Sequence, residues 1–280
     1  MAKVKNLTPE EFRRMQLLQL GMVSELDRVC RANHINYTIF CGTLLGAVRH
    51  KGYIPWDDDA DIAMLRRDYE KFRKVANQLN PEICFFQDHG TDPEYRWGYG
   101  KLRRTGTTFV RAGQEHLKAK TGVFIDIFPM DDIPLSLPGQ ILQDFYCFCL
   151  RKILWSEVGR VSDRNALRRG IYRLLSHIPR DFVYARTRRM ERKSRNNSPN
   201  RVRILLFPSI GKLYTKNSLR TLFGMEKRWF KELTDYEFEG RTFRGTKDYD
   251  SILKYTYGNY MELPPEEERE PHAPVSYYKF

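Results

Sequence analysis

Four carboxylates fall within five positions of this chain, at Asp57, Asp58, Asp59 and Asp61. Acids this close repel one another, and a fold keeps them together chiefly when something positive sits among them. A divalent cation with oxygen ligands, Mg2+ or Mn2+, is the expected counter-charge. The run just before them, Cys41-Gly42-Thr43-Leu44-Leu45-Gly46-Ala47-Val48-Arg49-His50-Lys51, is small, glycine-containing and ends in cations. A strand that passes through Gly-Thr into a helix start is a phosphate-binding geometry. Gly42 admits close backbone approach, Thr43 offers a hydroxyl, and the helix N-terminus presents free amides. Gly-Thr before a helix also serves as a plain N-cap, so both roles stand open here.

The patterning around this run reads as mixed helix and strand, an α+β chain. Thr8-Pro9-Glu10-Glu11 is a capping box opening a helix that carries Phe12, Met15, Leu18, Met22, Leu26 and Val29 on one face, to about residue 33. Residues 36–41 read as a strand, 44–49 as a short helix, 59–65 as the second strand and 68–79 as a helix. On a strand, Asp59 and Asp61 share a face with their Cα atoms about 7 Å apart, so both can reach one ion. Asp57 and Asp58 read as loop polarity or support. Residues 83–87 read as a strand, and 97–103 with 107–111 as a hairpin turned at Arg104-Thr105-Gly106. The apolar strand 122–129 holds a single acid, Asp126, which is costly there unless paired. Beside Asp59 and Asp61 it makes a carboxylate triad of the kind that holds metal for phosphoryl or nucleotidyl transfer.

Beyond Pro138 the character changes. Residues 139–177 and 181–195 read as helices, 196–200 as a loop, and 236–244 as a small hairpin at Gly240. A helix at 249–257 leads into a Pro-rich extended tail. The net charge of +13 is local: residues 151–220 hold 19 Lys+Arg against 4 Asp+Glu, and the other 210 hold 29 against 31. Such a patch faces polyanions. The five cysteines, Cys30, Cys41, Cys84, Cys147 and Cys149, lack zinc spacing and read as reduced thiols of a cytoplasmic protein. There is no apolar signal core and no run long enough to span a bilayer. The expected organisation is a catalytic core at 1–137, a basic helical region at 138–230 facing acceptor or membrane, and a segment at 231–280 completing the core.

The stretch from Gly42 to Ile62, with its Tyr53-Ile-Pro-Trp-Asp-Asp-Asp-Ala-Asp61, closely resembles the signature of the LicD family. So do Asp68-Tyr-Glu-Lys-Phe72, Tyr99-Gly-Lys-Leu-Arg103, Phe124-Ile-Asp-Ile-Phe-Pro129 and Tyr257-Gly-Asn-Tyr-Met261 followed by Leu263-Pro264-Pro265. The resemblance covers roughly residues 10–133 and 236–272; 140–230 match nothing in it. Ala60 departs from the usual Ile or Val between the acids, a change of packing rather than chemistry. The resemblance implies a nucleotidyltransferase-like mixed sheet flanked by helices. It implies a phosphotransferase of the 2.7.8 class, moving a phospho-alcohol from a CDP-linked donor onto a sugar hydroxyl. Phosphocholine from CDP-choline is the favoured cargo. The acceptor would be a cell-surface glycan or lipid-linked oligosaccharide of lipopolysaccharide, teichoic acid or capsule. Asp59, Asp61 and Asp126 match the metal-binding acids.

With that chemistry in view, Gly42, Thr43, Arg49, Lys51, Lys101 and Arg103 are the expected donor-phosphate contacts, Lys101 foremost because it alternates with Tyr99 and Arg103 on one strand face. A choline ammonium would need aromatic walls, for which Trp56, Trp97, Tyr99, Tyr257 and Tyr260 are available. His50 reads as a loop hydrogen-bonder, and His272 as a weak substrate contact. The basic segment would meet an anionic membrane at its inner face. Two other readings compete. One is a nucleotide-sugar glycosyltransferase using Asp59-Ala60-Asp61 as a DxD motif. The other is a nucleic-acid-binding module, disfavoured because clustered acids repel phosphates, so no nucleic acid is expected as partner.

Overall fold

The computed structural model describes residues 4–194, 200–207, 224–271 and 274–280. His272 and residues 196–199 of the expected loop lie outside them. Helix α1 (Pro9–Ala32) is opened by the capping box, with Thr8 Oγ1 accepting from the Glu11 amide and Glu11 bonding back to the Thr8 amide. Its inner face buries Met15, Met22, Leu26 and Val29, and among them two glutamines, Gln16 and Gln19. Strand β1 (Thr38–Phe40) passes directly into α2 (Cys41–Arg49), and the junction residue Cys41 has φ +44°. A non-glycine residue held there is strained.

The main sheet runs β1, β2 (Asp61–Leu65), β6 (Phe124–Asp132), β4 (Gly100–Arg104), β3 (Cys84–Gln87). Only β2 and β6 are parallel; the other neighbours are antiparallel. Helix α3 (Arg66–Val75) returns the chain from β2, and α1 packs on the sheet. At the far end of β6, β7 (Arg201–Arg203) pairs with it and β8 (Met225–Glu226) pairs with β7. The result is the mixed α+β architecture expected. A second, smaller core lies among α4 (Leu137–Ser162), α5 (Ala166–Leu175) and α6 (Arg180–Ser194), where Cys147, Leu150, Leu154, Val183 and Tyr184 meet Leu205 and Leu206.

Three local expectations need correction. The 97–111 hairpin does not form, although the turn does: Gly106 has φ +75° and Thr107 Oγ1 donates to the Arg104 carbonyl. Both edges of β4 are already taken, by β3 and β6, so β5 (Thr108–Arg111) finds its partner in β11 (Val275–Lys279). The tail, expected as an extended segment, therefore contributes a strand. The stretch 139–177 breaks at Asp163-Arg164-Asn165, where Asn165 caps α5 by accepting from the Arg168 amide. The hairpin near Gly240 is present as β9 (Leu233–Phe238) and β10 (Arg241–Thr246), followed by α7 (Tyr249–Tyr257).

Candidate active site

Strand register assembles the chemistry. Asp61 pairs with Asp126 across the parallel β2–β6 ladder, and Asp126 pairs with Lys101 across β6–β4. In-register residues of neighbouring strands point to the same side, so two acids and a lysine form one row across three strands. Asp59 lies two residues before β2 rather than on it. The strand begins only at Asp61 because β1, its partner, ends at Phe40, where the chain turns into α2. The Ala60 carbonyl still accepts from the Asp126 amide at 2.9 Å, which carries Asp59 up to the row. Asp59, Asp61 and Asp126 each offer a carboxylate oxygen, all within 4.8 Å of one another. Asp57, Asp58 and Asp59 form a second such group.

Helix α1 holds the acidic loop in place. Gln19 Nε2 donates to the carbonyls of Asp58 (2.8 Å) and Phe124 (3.3 Å), and Gln16 Nε2 to that of Asp57 (3.1 Å). Two glutamines three apart on an otherwise apolar helix face were the available signal for this role. Thr43 Oγ1 accepts from the Asp61 amide at 2.8 Å, so this hydroxyl positions the start of β2. A Cβ on Gly42 would collide with Oδ2 of Asp57. The glycine is required there because a carboxylate, not a phosphate, lies against the first turn of α2.

The electrostatics are dominated by the three acids, which Lys101 balances only in part. Burial, then the charges of Asp59 and Asp126, push the Asp61 carboxyl well above its ordinary range. Lys101 is ion-paired to Asp126, buried, and seated over the Phe124 ring at 3.6 Å. Burial pushes its ammonium down to about 7 against the opposing pull of Asp126. Three hard carboxylate oxygens are the donors a Mg2+ or Mn2+ ion would take, and Asp59, Asp61 and Asp126 are the residues that would hold it.

Beside the row opens a cavity of about 600 Å3 between the β4–β6 face and α4. Its aromatic walls include Trp97, Tyr99, Phe109, Phe124, Phe148 and Trp155; among the described residues its cations are Lys101, Arg103, Arg111, Lys120, Arg151 and Lys152, and no Asp or Glu lines it. Arg111 was not singled out by the sequence. Its guanidinium sits 4.9 Å over Phe124, and its buried Nε has no partner among the described residues. Burial opposes its charge, but Asp126, Asp59 and Asp58 outweigh that and raise it. Arg103 lines the same cavity while spending Nε on Gln87 Oε1 (2.7 Å) and Nη1 on the Gly122 carbonyl (2.9 Å).

Other expected contacts lie elsewhere. Arg49 closes α2, eight residues and about 12 Å of helix from the acidic end. There it donates to the carbonyls of Tyr260 (2.8 Å) and Glu262 (3.3 Å). Lys51 is exposed with φ +58°, and its carbonyl accepts from the Glu239 amide. Neither is brought to the triad, because both follow α2 rather than precede it. The five aromatics also divide. Trp97 and Tyr99 stand in the cationic cavity, whereas Arg269 already covers the Trp56 ring at 5.4 Å and the Tyr260 hydroxyl donates to Asp250. His50 meets Trp56 edge-on.

A mixed sheet presenting three convergent carboxylates at the ends of adjacent strands defines a nucleotidyltransferase-like domain. Residues 34–143 match the nucleotidyltransferase domain of the family described as LicD/FKTN/FKRP. The chain is 29% identical over 279 residues to the lipopolysaccharide cholinephosphotransferase LicD of Haemophilus influenzae, covering 96% of this chain and 97% of that protein. An uncharacterised protein of Rickettsia typhi is 40% identical over 78 residues, 28% of this chain and 25% of the relative. The likeness to the LicD family is thus held by the domain at 34–143 and, more thinly, by the whole length of the chain.

Proposed function

We propose that this protein transfers a phospho-alcohol, phosphocholine foremost, from a CDP-linked donor to a sugar hydroxyl of a cell-surface glycan such as lipopolysaccharide. The observation that carries the reading is the convergence of Asp59, Asp61 and Asp126 within 4.8 Å beside a cation-lined cavity. The full-length similarity to a lipopolysaccharide cholinephosphotransferase supports the choice of cargo and acceptor.

The reaction forms a bond from the sugar oxygen to the phosphorus bearing the alcohol and breaks that phosphorus's bond to CMP, which leaves. The three acids would hold Mg2+ or Mn2+, which supplies charge to stabilise the departing CMP oxygens. Lys101, which lines the cavity, keeps the Asp126 carboxylate beside it oriented as an acceptor for the sugar's proton. Arg111, with an unspent Nε, is set to bind a phosphate oxygen. A cavity with six cations and no carboxylate is hostile to a quaternary ammonium, so the alcohol end of the donor belongs outside it.

The test is mass spectrometry of a lipooligosaccharide acceptor after incubation with CDP-choline and other CDP-alcohols, with Mg2+, Mn2+ or EDTA. A mass increment from a CDP-alcohol, lost in EDTA and in Asp61→Ala, supports the reading. Turnover of UDP- or GDP-sugars in place of CDP-alcohols, or full activity of Asp61→Ala in EDTA, overturns it.

A further inference from the structure

Helix α4 has no single apolar face: large apolar side chains are spread around it, among Gln140, Gln143, Asp144, Arg151, Lys152, Glu157 and Arg160. Apolar side chains on both its sides call for cover on both. Its inner side is covered within the protein: Cys147, Leu150 and Leu154 face α6 and the 205–206 segment. Its outer side is covered only in part: Trp155 packs on Trp97, and Phe148 and Lys152 line the cavity, while Leu137, Ile141, Leu142 and Phe145 stand exposed. At 100° per residue Leu137, Ile141, Phe145, Phe148, Lys152, Trp155 and Gly159 fall in one sector of about 80°. The first six are exposed or half-buried, and neighbouring Leu142 and Phe145 are 69% and 64% exposed. At Gly159 that sector meets Tyr172 of α5, whose ring lies where a Cβ would stand. The apolar face therefore continues onto α5. There Leu167 and Leu174, 76% and 73% exposed, form with Ile171 a stripe at i, i+4 and i+7 facing away from Tyr172.

Charge decides what covers this face. Residues 137–176 hold seven Lys+Arg and three Asp+Glu. Each acid is already ion-paired, Asp144 with Arg203, Glu157 with Arg160 and Asp163 with Arg168. Lys152, Arg164, Arg169 and Arg173 have no acidic partner among the described residues. A second copy of this face would set these unpaired cations against one another, whereas interfacial helices interleave Leu, Phe and Trp with long cationic side chains that reach anionic headgroups. No described helix is long and apolar enough to cross a bilayer.

We infer that the outer face of α4 and α5 docks the protein on an anionic bilayer, lying in the interface without crossing it. The same helix edge supplies Phe148, Arg151, Lys152 and Trp155 to the wall of the cavity. Docking therefore turns the cavity mouth toward the lipid surface, so that a glycan carried on lipid would reach Lys101 and Asp126 from the membrane side. The docking itself does not depend on the transfer chemistry.

The experiment is co-sedimentation of the full chain with phosphatidylglycerol-containing or pure phosphatidylcholine vesicles, at about 0.1 M and about 0.5 M salt. Binding is expected to the anionic vesicles, weakened about tenfold or more by the higher salt. Leu142→Glu/Phe145→Glu and, separately, Leu174→Glu are expected to lose that binding with unchanged melting temperature, since these side chains are exposed. Equal binding of the variants, equal binding to neutral vesicles, or no binding by the native chain overturns the inference. So does a native dimer in light scattering that Leu142→Glu/Phe145→Glu converts to monomer, because a second copy then covers the face.

Discussion

Replacing Asp61 by Asn should stabilise the metal-free protein while abolishing its function. Asp61, Asp59 and Asp126 have oxygens within 4.8 Å. Two unit charges at that separation repel by about 3.5 kcal/mol at an effective dielectric of about 20. The penalty is capped, because Asp61 can take a proton instead: holding a carboxylic acid protonated at pH 7 costs about 4 kcal/mol, at about 1.4 kcal/mol per pH unit. The attraction of Lys101 offsets part of either route. A net gain of about 2–3 kcal/mol for Asp61→Asn remains, a rise of about 5–10 °C in melting temperature for a chain of about this size. Because the folded carboxyl titrates above its unfolded value, the cost exists only where Asp61 must ionise. The advantage should shrink as pH falls and vanish near pH 4. Thermal unfolding in EDTA across pH 4.5–8, beside the same scan with saturating Mg2+, measures both sides. The native protein should gain from Mg2+ and the variant should not. An Asp61→Asn protein that melts below the native one in EDTA and still responds to Mg2+ would refute a repulsive metal site.

The Mg2+ response of the native protein should itself grow from pH 5.5 to pH 8, since the raised Asp61 carboxyl makes protons compete with the ion at the lower pH; a flat response contradicts that. Gln19→Ala removes two buried bonds to the Asp58 and Phe124 carbonyls and should cost about 1–3 kcal/mol in denaturant unfolding, with weakened metal affinity beyond what stability explains. Gly42→Ala should do likewise, through the clash with the Asp57 carboxylate, and calorimetric Mg2+ titration reads it directly. Arg111→Gln should leave Mg2+ binding in place while raising the KM for the CDP-linked donor at least about tenfold, as expected for a charged hydrogen bond.

What the chain disclosed beforehand follows from what each signal depends on. The acids were visible because clustered charge is a local property. Pairing of Asp126 with them followed because one acid in the apolar run from Val123 to Phe128 has few other uses. Lys101 was found by strand alternation and turned out buried against Asp126. Arg111 was missed because its strand is short and pairs with β11, some 165 positions away, which no local pattern encodes. The 97–111 hairpin failed for the same reason: its turn chemistry was right, but β4 had no free edge. Gly42 and Thr43 were tied to phosphate from the strand–Gly–Thr–helix sequence alone. That Asp57, fifteen residues on, lies against Gly42 is seen only once the loop has folded back.

The row Asp61–Asp126–Lys101 has a consequence for how such a chain can vary. Its spacing is set by the gap between adjacent strands, not by the length of any loop. Insertions in the loops that connect β2, β4 and β6, even long ones, leave the spacing untouched. A single residue gained or lost within β2 or β6 is different. It inverts the parity of the strand, turning an acid toward the opposite face and an apolar neighbour such as Ile62 or Ile127 into its place. Length can therefore drift between these strands but not inside them, where even a two-residue step keeps the face yet slides an acid about 7 Å along its strand, away from its partner.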